Sequence, residues 1–125
     1  DFQKDTKEAL LVSVKLSTRQ VGDVTVIDAV GRITLGEGAS TFRDAIRDLA
    51  AKGDKKLLLN LSEVSYIDSS GIGELVSGFT TVTNHGGQLK LVGLTKRVKD
   101  LLQITKLYTI FDVYDTETSA VRSFA

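Results

Sequence analysis

Apolar and polar positions change period several times along the chain, and each change predicts an element. Leu10, Val12, Val14 and Leu16 alternate with other residues, and the stretch Val24-Thr25-Val26-Ile27-Asp28-Ala29-Val30 is rich in β-branched side chains, the pattern of two strands. Gly22-Asp23 between them suits a two-residue turn, so the fold is expected to open with a β-hairpin. Gly31 to Gly38 holds three glycines in eight residues and reads as a loop that turns the chain. Thr41 followed by Asp44 is a capping-box-like helix start; Phe42, Ala45, Ile46, Leu49 and Ala50 then share one face until Gly53 stops the helix.

The second half alternates strand and helix. Leu57-Leu58-Leu59-Asn60-Leu61 is apolar on both faces, as a central strand covered on both sides would be. Ile72, Leu75, Val76, Phe79 and Val82 recur at helical spacing, with Asn84-His85-Gly86-Gly87 as the stop. Gln88 to Leu94 predicts another strand, and Thr95 caps a short helix carrying Val98, Leu101 and Leu102. Ile110 to Val113 predicts an edge strand and Thr116 to Phe124 a closing helix. The order implies an α/β fold: a small mixed β-sheet opening with a β-hairpin, followed by alternating helices and parallel strands. Residues 1–9, polar and without a period, read as a flexible N-terminal arm of a single domain spanning residues 1–125.

In this arrangement Asp68, Ser69, Ser70 and Gly71 form the turn between the central strand and the second helix, at the carboxyl edge of the sheet, where α/β folds place ligand sites. Two hydroxyls there face unpaired backbone N–H groups. Three readings fit: a helix cap, a nucleophile, or a site of modification. The nucleophile is the weakest, because Ile67-Asp68 precede the serines where a nucleophile elbow needs Gly-x-Ser-x-Gly. The lone histidine, His85, sits at a Gly-Gly helix stop, where it reads as a capping partner.

Composition narrows the field further. Lys plus Arg and Asp plus Glu are 16 each, so no net basic field favours nucleic acid or an anionic membrane. Absence of cysteine removes disulfides and thiolate chemistry. No apolar run reaches the roughly 18 residues that read as a membrane span, and Asp1-Phe2-Gln3-Lys4-Asp5 lacks a signal-peptide core. An apolar content of 42% supports one core. Thr95-Lys96-Arg97-Val98-Lys99 opens a helix with three cations, against its dipole; these read as a solvated face or as a contact for an acidic patch on a partner.

Leu59-Asn60-Leu61-Ser62-Glu63-Val64-Ser65-Tyr66-Ile67-Asp68-Ser69-Ser70-Gly71-Ile72-Gly73, with Gly86-Gly87-Gln88-Leu89-Lys90-Leu91 downstream, resembles the STAS domain of anti-sigma factor antagonists, from about Val12 to the C-terminus. The resemblance implies a STAS-like α/β fold and a non-enzymatic role in bacterial transcription regulation. It further implies that Ser69, directly after Asp68, is phosphorylated by a partner anti-sigma factor that is also a serine kinase. The unmodified antagonist would bind that kinase and free the sigma factor, and phosphorylation would weaken the binding. Asp68, Ser69, Ser70, Gly71, Ile72 and Thr34 are then the expected partner-binding positions, in the cytoplasm, without cofactor or metal. Many members of the family carry an acidic residue shortly after the glycine of the second strand. Here Gly31 is followed by Arg32-Ile33-Thr34, which puts Thr34 at that position; Arg32 reads as a solvated edge charge, with contact to a modified serine as the alternative. The alternative is a STAS scaffold or small-ligand sensor in which Ser69 is merely a cap.

Overall fold

The computed structural model describes residues 14–124. The expected N-terminal arm, and the first residues of the expected first strand, lie outside the described residues. Strands β1 (Val14–Val21) and β2 (Val24–Ile33) form the antiparallel hairpin, turning at Gly22 and Asp23, with Gly22 at φ +64°. After it come α1 (Glu37–Ala51), β3 (Lys56–Ile67), α2 (Ser69–Asn84), β4 (Gln88–Val92), α3 (Lys96–Ile104), a 3-10 turn (Leu107–Thr109), β5 (Val113–Tyr114) and α4 (Glu117–Ser123). The strands lie side by side in chain order, and β2 through β5 are parallel.

Successive right-handed crossovers that always step the same way along a sheet put their helices on one face. Accordingly Phe42, Ile46, Leu75, Val82, Val98 and Leu102, from α1 to α3, share a core with Leu57, Leu59 and Leu61 of β3. The intervening Leu58 faces the other way, into a smaller cluster of Val24, Val26 and Val92 closed by Ala120 and Phe124 at α4. The two-sided apolar run of β3 is thus explained by two unequal layers.

Several predicted boundaries move. Gly31 belongs to β2, at a register irregularity, and Gly38 to α1; the connecting loop is only residues 34–36. Helix α1 begins at Glu37, not Thr41, because its start is capped by backbone: Gly36 turns the chain at φ +95°, and the Ala39 amide donates to the Thr34 carbonyl at 2.9 Å. Side-chain capping rules cannot register such a start. Gly38 is pressed onto β2, where an added Cβ would stand 2.8 Å from the Arg32 carbonyl oxygen. The expected turn at Asp68 to Gly71 shrinks to Asp68, since Ser69 already opens α2. Ile110 ends the 3-10 turn rather than opening β5, its amide donating to the Leu107 carbonyl. Thr95 caps α3 as predicted, and Thr116 caps α4, each hydroxyl accepting from a first-turn amide. Among the described residues no helix is long and apolar enough to cross a membrane.

The short α4 is fastened by charge. Lys90, buried in β4, donates to the Ser123 carbonyl at 3.0 Å and hydroxyl at 2.9 Å, with Nζ 4.8 Å from the centroid of the Phe124 ring. Lys90→Met is expected to cost about 2 kcal/mol, the range for hydrogen bonds to a charged group, and to speed hydrogen exchange in α4 before the rest of the chain. At the other end of α4, Arg19 of β1 bridges Asp28 and Glu117. Hydrogen bonding to Arg19 holds both carboxyls below their ordinary range. Such groups add stability above their unfolded pKa, about 4, and lose it as pH falls through the lower folded value. Urea midpoints should therefore drop on acidification below about pH 4, and less steeply in Arg19→Leu.

Candidate functional site

The upper half of β3 extends past β4, whose pairing ends at Asn60 opposite Val92, so residues 61–67 are paired only with β2. This projecting segment delivers Asp68 to the carboxyl edge. Asp68 is extended, at φ −105° and ψ −174°, and is the N-cap of α2. Its Oδ1 accepts from the Gly71 amide at 2.9 Å and its Oδ2 from the Leu35 amide at 3.0 Å. Its own amide donates to the Ile33 carbonyl at 3.4 Å. One carboxylate therefore ties the β2–α1 loop to the start of α2. Partial burial pushes the Asp68 carboxyl up, but amides led by those of Gly71 and Leu35 outweigh this and hold it below its ordinary range. It is a fixed negative charge at neutral pH.

With Asp68 as the cap, the serines are not needed for capping. Ser69 is exposed at the first position of α2, and its hydroxyl has no hydrogen-bond partner among the described residues. Ser70 is half-buried one position on. Gly71 and Ile72 are buried beneath the turn. Gly71 lies so close to β2 that an added Cβ would be 2.2 Å from the Ile33 carbonyl oxygen, whereas Gly73 faces open space and has no part in shaping the turn. Thr34 falls between the two β2–α1 residues bonded to Asp68, and its carbonyl anchors α1. The site thus gathers Thr34, Asp68, Ser69 and Ser70 at one edge, over a base of Gly71 and Ile72.

His85 is at the opposite end of α2, a helix of 16 residues, or about 24 Å. Its Nδ1 lies 2.8 Å from the Thr81 carbonyl, in the C-terminal role expected of it. No serine–histidine pair exists at this turn. Among the described residues no group of three or more His, Cys, Asp or Glu could hold a metal ion.

Two features escaped the sequence reading. Leu35, 79% exposed, projects from the loop whose amide is bound to Asp68; an apolar residue among glycines was its only signal. Tyr66 is flanked by two guanidinium groups, Arg32 Cζ at 4.8 Å and Arg97 Cζ at 4.2 Å from the ring centroid. Arg32, exposed at the sheet edge, stacks on Tyr66, its register partner in β3.

Comparison with known proteins agrees with this architecture. The anti-sigma-B factor antagonist of Bacillus subtilis is 32% identical over 102 residues, covering 82% of this chain and 92% of that protein. The namesake protein of Listeria monocytogenes is 29% identical over 106 residues, covering 85% and 91%. Among solved structures, the Thermotoga maritima protein tm1081 superposes with a TM-score of 0.81 at 29% identity, covering 87% of this chain and 93% of that one. The Bacillus protein SpoIIAA in its phosphorylated form shares the fold, with a TM-score of 0.69 at 18% identity over 89% of this chain and all of that one. The family model for the STAS domain matches residues 15–120, and the chain belongs to the STAS domain family.

Proposed function

We propose that this chain is an anti-sigma factor antagonist whose binding to an anti-sigma factor serine kinase is switched off by phosphorylation of Ser69. The observation that carries the reading is the division of labour at the turn: Asp68 does the capping, leaving the adjacent Ser69 hydroxyl exposed and, among the described residues, unpaired. A residue with no structural duty can be modified without disturbing the fold. Its relatives support the partner class, since the Bacillus subtilis and Listeria monocytogenes proteins bear the name anti-sigma-B factor antagonist. SpoIIAA, known in unphosphorylated and phosphorylated forms, matches this chain with TM-scores of 0.67 and 0.69, so one fold accommodates both states of that protein.

The interaction surface comprises Thr34, the exposed Leu35 side chain, Asp68, Ser69 and Ser70, with Gly71 and Ile72 setting its shape from below. Leu35 supplies the apolar contact and the helix start the polar one. Incubation with the anti-sigma factor kinase of the source genome and Mg-ATP, followed by mass spectrometry, should place one phosphate on Ser69 and none on Ser70. Absence of phosphate from residue 69 would reject the switch and leave a scaffold or ligand-sensing module in its place.

A further inference from the structure

Some side-chain cations around the sheet and helices have a carboxylate: Arg19 bridges Asp28 and Glu117, Arg43 meets Glu74 at 3.0 Å, Lys56 meets Asp23, and Lys96 meets Asp100 at 3.1 Å. Arg32 and Arg97 have none among the described residues. They converge instead on the one ring of Tyr66, from β2 and from the first turn of α3. Stacking contributes about 0.5–1 kcal/mol per exposed cation, but it neutralises no charge, and the two guanidiniums repel each other. Arg97 is also at the positive end of α3, where a cation is disfavoured. An anion placed here would relieve both repulsions.

Each arginine carries a planar donor fork suited to a carboxylate. Beside them an open groove of about 500 Å³ is lined by Lys96, Arg97, Asp100, Leu101 and Ile104, and Ile104 is 77% exposed. With Lys96 paired to Asp100, Arg97 is the cation left without a carboxylate on a groove floored by aliphatic side chains, which fits a peptide segment with carboxylates and at least one apolar side chain. The surface adjoins the proposed switch, because Tyr66 is two residues before Asp68 on the projecting half of β3. We infer that Arg32 and Arg97, stacked on Tyr66, receive an acidic segment of the same protein partner that engages the Ser69 turn. The inference rests on the proposed function for its partner and adds the chemistry by which that partner is held.

The test is calorimetric titration of the anti-sigma factor kinase with the full chain, at two salt concentrations. Arg32→Glu and Arg97→Glu should each weaken binding about tenfold and flatten its salt dependence. Tyr66→Leu should weaken it a few-fold by freeing both forks. Lys52→Glu, at the far end of α1, should leave affinity unchanged. Circular dichroism checks that each variant is folded, and Arg97→Gln replaces any that is not. If the unsubstituted chain binds and the arginine variants bind equally well, the docking surface is overturned while the Ser69 reading stands. Equal weakening by Lys52→Glu would mean that net charge alone is sensed and would also overturn it. No binding by the unsubstituted chain overturns both.

Discussion

Replacing Gly71 with alanine is expected to destabilise the chain by about 3 kcal/mol or more, while the same change two residues later, at Gly73, should stabilise it by up to about 1 kcal/mol. Both glycines are in α2, and neither has a positive φ, so the contrast is one of space. A Cβ on Gly71 would stand 2.2 Å from the Ile33 carbonyl oxygen and 2.5 Å from Cγ1 of Ile67, with nothing within 4 Å of one on Gly73. The Ile33 carbonyl cannot retreat freely, because it accepts the Asp68 amide. Nor can α2 back away without loosening the hydrogen bonds that join Asp68 to Gly71 and Leu35. Thermal unfolding should show a Tm lower by roughly 10 °C or more for Gly71→Ala and a small rise for Gly73→Ala. A small, equal response at both positions would contradict the close approach of α2 to β2 on which the site is built.

A phosphate on Ser69 is expected to lower affinity for the anti-sigma factor kinase roughly 30- to 150-fold, corresponding to about 2–3 kcal/mol. The group adds about −1.5 to −2 charge at neutral pH. It would lie next to the Asp68 carboxylate, already held ionised. Asp68 occupies the amides of Gly71 and Leu35, so those donors are not available to the phosphate. The new charge therefore stays largely hydrated, and docking must strip that hydration against like-charge repulsion. The fold tolerates the charge because the start of α2 presents the positive end of its dipole. Ser69→Ala should bind without responding to ATP, and Ser69→Asp, with a smaller charge, should weaken binding in the same direction.

Elements were legible in the sequence wherever side chains carry the information. The β-branched run of β2, the apolar run of β3, the helical spacing of Ile72, Leu75 and Val82 and the threonine cap of α3 all follow from side-chain burial or side-chain hydrogen bonding. The start of α1 was misplaced because its cap is backbone on backbone, at Gly36 and Thr34, and leaves no side-chain signature. The length of β3 was underestimated because Ser62, Glu63 and Ser65 are exposed on a strand with only one neighbour, which breaks the apolar pattern without breaking the pairing. At the site, Asp68 and the two serines stood out from sequence, but which of the three does the capping did not. That depends on Leu35, 33 residues away, reaching the second carboxylate oxygen. Likewise Arg32 and Arg97 meet only through the register of β2 on β3 and the placement of α3, so no local pattern could pair them.

Charge at Ser69 is expected to change binding and leave the fold intact. The most direct measurement is a calorimetric titration of the anti-sigma factor kinase with the chain unmodified and with the chain phosphorylated at Ser69, alongside thermal unfolding of both. Affinity should fall roughly 30-fold or more with the unfolding transition essentially unmoved. Equal affinity for the two forms, or loss of binding only because the phosphorylated chain has unfolded, would contradict this expectation.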